Sequence, residues 1–106
     1  MKTLALAILL SGSLAAFAQE ADFAIAIKDH KFSPDRIEIP AGKKVKLVVD
    51  NQDATPEEFE SSSMKIEKVI PGKSKATIFV GPLKAGEYKF VGEFNEKTAK
   101  GVIVAK

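Results

Sequence analysis

The sequence predicts an all-β domain, a sandwich or barrel of seven to eight short strands. Three observations carry that expectation. Apolar residues alternate at period two along most of the chain, β-branched residues fill many of the alternating positions, and turn residues interrupt the pattern every eight to twelve positions. No stretch shows the i, i+3, i+4 apolar stripe of an amphipathic helix.

Each element follows from that pattern. Phe23, Ile25 and Ile27 alternate with Ala and Lys, and the polar turn Asp29-His30-Lys31 leads to Phe32 and Ser33-Pro34. Ile37 and Ile39 alternate with charged neighbours before Pro40-Ala41-Gly42 turns the chain. Val45, Leu47 and Val49 repeat at period two and stop at Asp50-Asn51. A short irregular strand is expected at Glu58 to Ser61, then a loop, then a strand over Lys65 to Ile70 closed by Pro71-Gly72. Ala76, Ile78 and Val80 alternate before Gly81-Pro82, and Lys84-Ala85-Gly86 turns into Glu87 to Val91. The last strand is expected over Lys100 to Ala105, after the loop Gly92 to Ala99. Phe23, Phe32, Phe79, Tyr88 and Phe90 fall in alternating strands and are expected to fill the space between sheets, with the Tyr88 hydroxyl tying a corner.

Composition excludes much. The chain has 106 residues, 16 Lys+Arg against 14 Asp+Glu, one His and no Cys. Without Cys there is no disulfide framework, thiol nucleophile, iron–sulfur cluster or thiolate metal site, and one His cannot build HExxH or a multi-histidine cage. A net charge of +2 with both signs dispersed gives no basic stripe for nucleic acid. Ser61 to Ser63 lacks a nucleophile-elbow setting and no Gly-rich loop cradles phosphate, so the expectation is a non-enzyme.

The N-terminus reads as a signal peptide over residues 1–18. Met1-Lys2 is a short basic start, Leu4 to Leu10 an apolar run too short to span a bilayer, and Ala16-Phe17-Ala18 a small-x-small cleavage pattern. A single soluble domain is expected over residues 19–106, exported to the periplasm and without a later membrane span.

The order of residues then resembles a known superfamily. Phe32-Ser33-Pro34, Ile37-Glu38-Ile39-Pro40-Ala41-Gly42, Val45 to Val49 and Asn51 are similar to the N-terminal half of a cupredoxin. Gly86 to Phe90, a loop, and Gly101-Val102-Ile103-Val104 resemble its C-terminal half. Thr55 to Ser61, Glu67 to Gly72 and Gly92-Glu93-Phe94 are similar to small periplasmic cupredoxin-like proteins related to the N-terminal domain of the EfeO iron-uptake protein. The resemblance implies a Greek-key β-sandwich, a link to copper or iron handling, and an iron permease or other metal-uptake component as partner.

It also implies where a copper site would stand. Blue-copper cupredoxins use two His, one Cys and usually an axial Met. At the corresponding positions this chain has Glu57 for the first His, Gly92 for the Cys and Asn95 for the second His, and no Met follows. No type 1 copper centre is therefore expected. The inherited geometry would instead bring His30 near Glu57 and Asn95, with Glu58, Glu60, Glu93 and Met64 as further candidates for an oxygen-rich site holding a copper or iron ion. Neighbouring strand residues face opposite ways, so only some of these can converge. Phe59 and Phe94 are expected to wall that site. The alternative is a metal-free sandwich that uses its loops to contact a membrane or periplasmic partner.

Overall fold

The computed structural model describes residues 21–106; the signal peptide expected at 1–18 lies outside them. Among the described residues nine strands form two sheets. In chain order they are β1 (Phe23–Lys28), β2 (Lys31–Ser33), β3 (Arg36–Ile39), β4 (Val45–Asn51), β5 (Glu57–Ser61), β6 (Ile66–Ile70), β7 (Ser74–Val80), β8 (Gly86–Val91) and β9 (Lys100–Ala105). One single-turn 3-10 helix, Glu93–Asn95, follows β8. The first sheet runs β2-β1-β4-β7 and the second β3-β9-β8-β5-β6. The pairs β1/β4 and β3/β9 are parallel and the others antiparallel.

This is the expected cupredoxin-like sandwich, with one strand more than the expected seven to eight. The extra element is the three-residue β2, which pairs back on β1 through a two-residue turn. Asp29 and His30 occupy that turn with φ of 52° and 58°. Left-handed geometry at both central residues is what a tight hairpin needs to match strand twist.

The core lies between the sheets and is built from alternate residues. Along β4, Val45, Leu47, Val49 and Asn51 point inward while Lys46, Val48 and Asp50 are only half-buried. Ile25, Ile27, Ile37, Ile39, Ile78, Val80, Phe90 and Ile103 complete the inner faces. Phe59 stacks on Phe90 with centroids 4.7 Å apart, and Phe32 meets Phe90 edge-on at 4.9 Å.

Two aromatic expectations are corrected. Phe59 lies in the middle of the core rather than walling a site, because the parity of β5 turns it inward with Glu57 and Ser61. Phe79 is 56% exposed, since Ile78 and Val80 are the inward set of β7 and Phe79 alternates out of phase with them. Its ring instead lies 5.1 Å below the Lys44 ammonium. Tyr88 does tie a corner, donating to the Lys84 carbonyl at 2.8 Å.

Candidate functional site

Four loops and strand ends meet at one end of the sandwich. They are the β1–β2 turn with His30, the β4–β5 loop with Asp53, the start of β5 with Glu57, and the 3-10 turn with Asn95. Parity along β5 sends Glu57 to the same inner face as Phe59, so a carboxylate occupies a core position and is 0% exposed.

Glu57 is the hub. His30 Nδ1 lies 2.6 Å from its Oε2, and Asn95 Nδ2 donates to the same oxygen at 2.7 Å. The other oxygen, Oε1, is sealed from solvent and meets no donor. Buried carboxylate oxygens are nearly always partnered, so this one marks a place where something else belongs or where a cost is carried. Gly92 lies against it: a Cβ there would fall 3.3 Å from Oε1 and 2.9 Å from the Ala99 Cβ. Gly92 has φ −97° and ψ 105°, which any residue adopts, so glycine serves here for room rather than for conformation.

The turn carrying His30 is held by Asp53. Its two oxygens accept the backbone N–H groups of Asp29 at 2.8 Å and His30 at 3.0 Å, which supports the left-handed turn. Burial works against the Asp53 charge, but these two backbone bonds, with the nearby His30 and Lys73, hold its carboxyl below the ordinary range. Asp53 is placed by Asn51, fully buried at the end of β4. Asn51 Oδ1 accepts from the Asp53 N–H at 3.0 Å, and its Nδ2 faces the carbonyls of Thr55, Ile70 and Pro71 at 2.9, 3.1 and 3.2 Å. The hydrogen bond to Glu57 raises the pKa of His30 above 6.5; desolvation opposes this, and the charges of Glu57, Asp53 and Asp29 add to it.

One ligand atom from each of His30, Asp53 and Glu57 can be chosen so that all lie within 4.8 Å of one another. One imidazole with two carboxylates suits a borderline or hard ion rather than soft Cu(I). A type 1 copper centre does not fit, because Gly92 offers no thiolate and His30 is the sole imidazole.

The structure divides the candidates named from the sequence. His30, Glu57 and Asn95 come together. Glu58, Glu60 and Glu93 do not join them; they gather on the outer face of the second sheet, with one oxygen from each within 4.8 Å of the others. Glu58 is 3% exposed, and burial first, then the charges of Glu93 and Glu67, raises its pKa. A hydrogen bond with Glu93 is the main reason that Glu60 is pushed up to about 7. Met64 joins neither group: it lies in the β5–β6 turn, at the far end of β5 from Glu57, and packs on the core. Phe94 stands beside the Glu57 end, 53% exposed, lining an open depression with His30, Asn95 and Thr98. Asn51 and Asp53 carry the geometry and were not among the candidates. Their signal was an Asn-x-Asp step at a strand end, a common Asx-turn pattern.

A two-sheet sandwich with loop-borne polar groups gathered at one end defines the class: a cupredoxin-like domain. The chain belongs to the family described as the cupredoxin-like domain, whose family model matches residues 2–105. An uncharacterised protein of Rickettsia prowazekii (strain Madrid E) is 42% identical over 80 residues, 76% of this chain and 64% of that protein. The chain thus spans about 64% of that relative's length. Among solved structures, a Cu(I) methionine-to-alanine variant of amicyanin superposes with TM-score 0.68 at 15% identity, covering 84% of this chain and 88% of that one. A purple cupredoxin from Nitrosopumilus maritimus gives 0.60 at 20% identity, covering 80% and 100%. Auracyanin A, a blue copper protein from Chloroflexus aurantiacus, gives 0.67 at 12% identity, covering 78% and 96%. At these identities the likeness is one of fold.

Proposed function

We propose that this chain is a periplasmic metal-binding accessory protein that takes up one copper or iron ion through His30, Glu57 and Asp53, and is not a blue-copper electron carrier. The observation that carries this reading is Glu57: a fully buried carboxylate beside the only His, with one oxygen left without a donor. Such a group is costly unless charge or a ligand compensates it. In the metal-free protein the proton between His30 and Glu57 does part of that work, and metal uptake displaces it.

The finer setting rests on the resemblance to the small iron-system proteins, which supports delivery to an iron permease or related uptake component. The leader-like residues 1–18 support the periplasm. The adjacent acids Glu57 and Glu58 face opposite sides of β5, so they form no acid–base pair, which supports a binding role over catalysis.

The test is titration of the protein with Cu(II), followed by electron paramagnetic resonance, and with Fe(III) supplied as its citrate chelate. One equivalent should bind at micromolar affinity without intense blue absorbance. Glu57→Gln and His30→Gln should each weaken binding at least tenfold. Binding that is absent, or equal in parent and variants, would overturn the reading. It would favour a metal-free module docking through this end, for which the exposed Phe94 beside His30 is the supporting observation.

A further inference from the structure

We infer that the outer face of the first sheet docks on an anionic lipid bilayer, with its lysines among the phosphate headgroups and the Phe79 ring just beneath them. Charges that are dispersed along the chain separate once it folds, because strand parity sorts them between two faces. On the first sheet the outward set includes Lys28 of β1, Lys31 of β2, Lys46 of β4 and Lys75 of β7. Asp50, across from Lys75, is the only acid among the described strand residues of that face. The outer face of the second sheet has the opposite balance: Glu38, Glu58, Glu60, Glu67 and Glu87 outnumber Arg36, Lys89 and Lys100. The sandwich is therefore polarised through its thickness, which orients it against a charged surface.

Two further observations say what covers this face. Lys28 and Lys31 stand directly opposite each other in the β1/β2 register, an arrangement of like charges that costs stability. The ion pairs found among the described residues engage neither of them, nor Lys75, so these ammonium groups remain available to external anions. The middle of the face is smooth and weakly apolar, because Ala24, Val48 and Thr77 line up in one row across β1, β4 and β7. At its corner, across from Lys46, Phe79 is 56% exposed with the Lys44 ammonium 5.1 Å above its ring. An aromatic ring among lysines suits the boundary between headgroups and acyl chains. The same composition fits a protein partner poorly: Lys and Ala are depleted from protein interfaces, and an arginine-rich set would serve bidentate carboxylate contacts better.

Docking does not rest on metal uptake at the His30–Glu57 end, so it is tested with a chelator present. The protein is sedimented with vesicles of equal parts phosphatidylcholine and phosphatidylglycerol, at ~0.15 M salt, where charges are screened beyond ~8 Å. It should bind these vesicles and not pure phosphatidylcholine. Lys31→Gln/Lys75→Gln should weaken binding at least tenfold, and Phe79→Ala several-fold. Lys89→Gln/Lys100→Gln makes the same change of net charge on the other face and should stay within about twofold of the parent, since screening removes distant charges. Far-UV circular dichroism checks that every variant keeps its strands. The inference is overturned if the parent does not sediment, if pure phosphatidylcholine holds it equally, or if Phe79→Ala binds like the parent. It is equally overturned if Lys89→Gln/Lys100→Gln weakens binding as much as the first pair, which marks attraction by net charge alone. Binding to soluble polyglutamate in place of the vesicles would also overturn it, in favour of an acidic protein partner.

Discussion

Replacing Asn51 with Ala tests whether the site end is built from the core outward. The Asn51 amide carries two hydrogens against three carbonyls, so it satisfies two at a time, and Oδ1 accepts one further bond from Asp53. Three bonds are lost around a fully buried side chain, although of its contacts only the one to the Ile70 carbonyl is itself fully buried. At roughly 0.5–1.5 kcal/mol each, the loss is about 2–4 kcal/mol, against ~5–10 kcal/mol for the whole stability of a domain this small. The expected fall in Tm is about 10–25 °C, with a lower urea midpoint and an unchanged m-value. Asn51→Asp should do no better, because it sets a carboxylate oxygen against the three carbonyls. The same variants should loosen Asp53 and let the His30 turn drift from Glu57. The pKa of the single imidazole, read by NMR, should then move back toward 6.5. A Tm within ~4 °C of the parent, together with an unmoved His30, would refute the chain of support from Asn51 through Asp53 to His30.

Other outcomes follow from the same structure. The pKa of His30 is raised chiefly by its bond to Glu57, so the folded state binds more protons than the unfolded chain above pH 6.5; its stabilisation is whole below that pH and fades as pH rises through the folded value, a slope that His30→Gln should flatten in Tm-versus-pH scans. Glu60, at about 7 and raised first by its hydrogen bond with Glu93, makes stability fall between pH 4.5 and 7, and Glu93→Gln should lessen that fall in Tm-versus-pH scans without abolishing it, because burial and the charges of Glu58 and Glu67 remain. Gly92→Ala should cost about 1–3 kcal/mol in urea unfolding, because its Cβ meets Ala99 at 2.9 Å and presses on Glu57 Oε1; a neutral variant would show that the contact yields freely. Phe90→Ala should cost about 3–5 kcal/mol by emptying the middle of the aromatic stack, while Phe79→Ala should stay within about 0.5 kcal/mol, both by the same measurement.

The fold was legible wherever alternate residues were apolar. In β4 the buried parity is written in Val and Leu, and the expected strand matches the observed one closely; β9 has its expected bounds, although its last three residues are all buried rather than alternating. β5 was harder because its first inward residue is Glu57, a charge at a core position, which breaks the hydrophobic alternation that marks a strand. β2 was missed as a separate strand because three residues give too little pattern. The nearness of His30 to Glu57, 27 residues away, could not come from periodicity and rested on the resemblance alone. Parity did warn that Glu57 and Glu58 face opposite ways, and the division of the acids into two groups follows from it. Asp53 escaped notice because an acid in a loop reads as solvated. Its work is to accept two backbone N–H groups, which no spacing of side chains records.

The fold locates the site, and the donors decide its chemistry. A cupredoxin sandwich brings four chain segments to one end, and here that end is organised around a buried acid rather than a thiolate. Gly92, where the blue-copper pattern has its sulfur, contributes only space, and the Glu57 carboxylate lies against that space. His30 and Asn95, from separate loops, both bind Oε2 and leave the buried Oε1 without a donor. Glu57, Gly92, Asn95 and His30 therefore work as a set: restoring a side chain at 92 crowds the carboxylate, and removing the carboxylate strands the imidazole. Under the reading proposed above, a cation would replace the proton at this end and its uptake would depend on pH, unlike the fixed thiolate ligation that suits electron transfer.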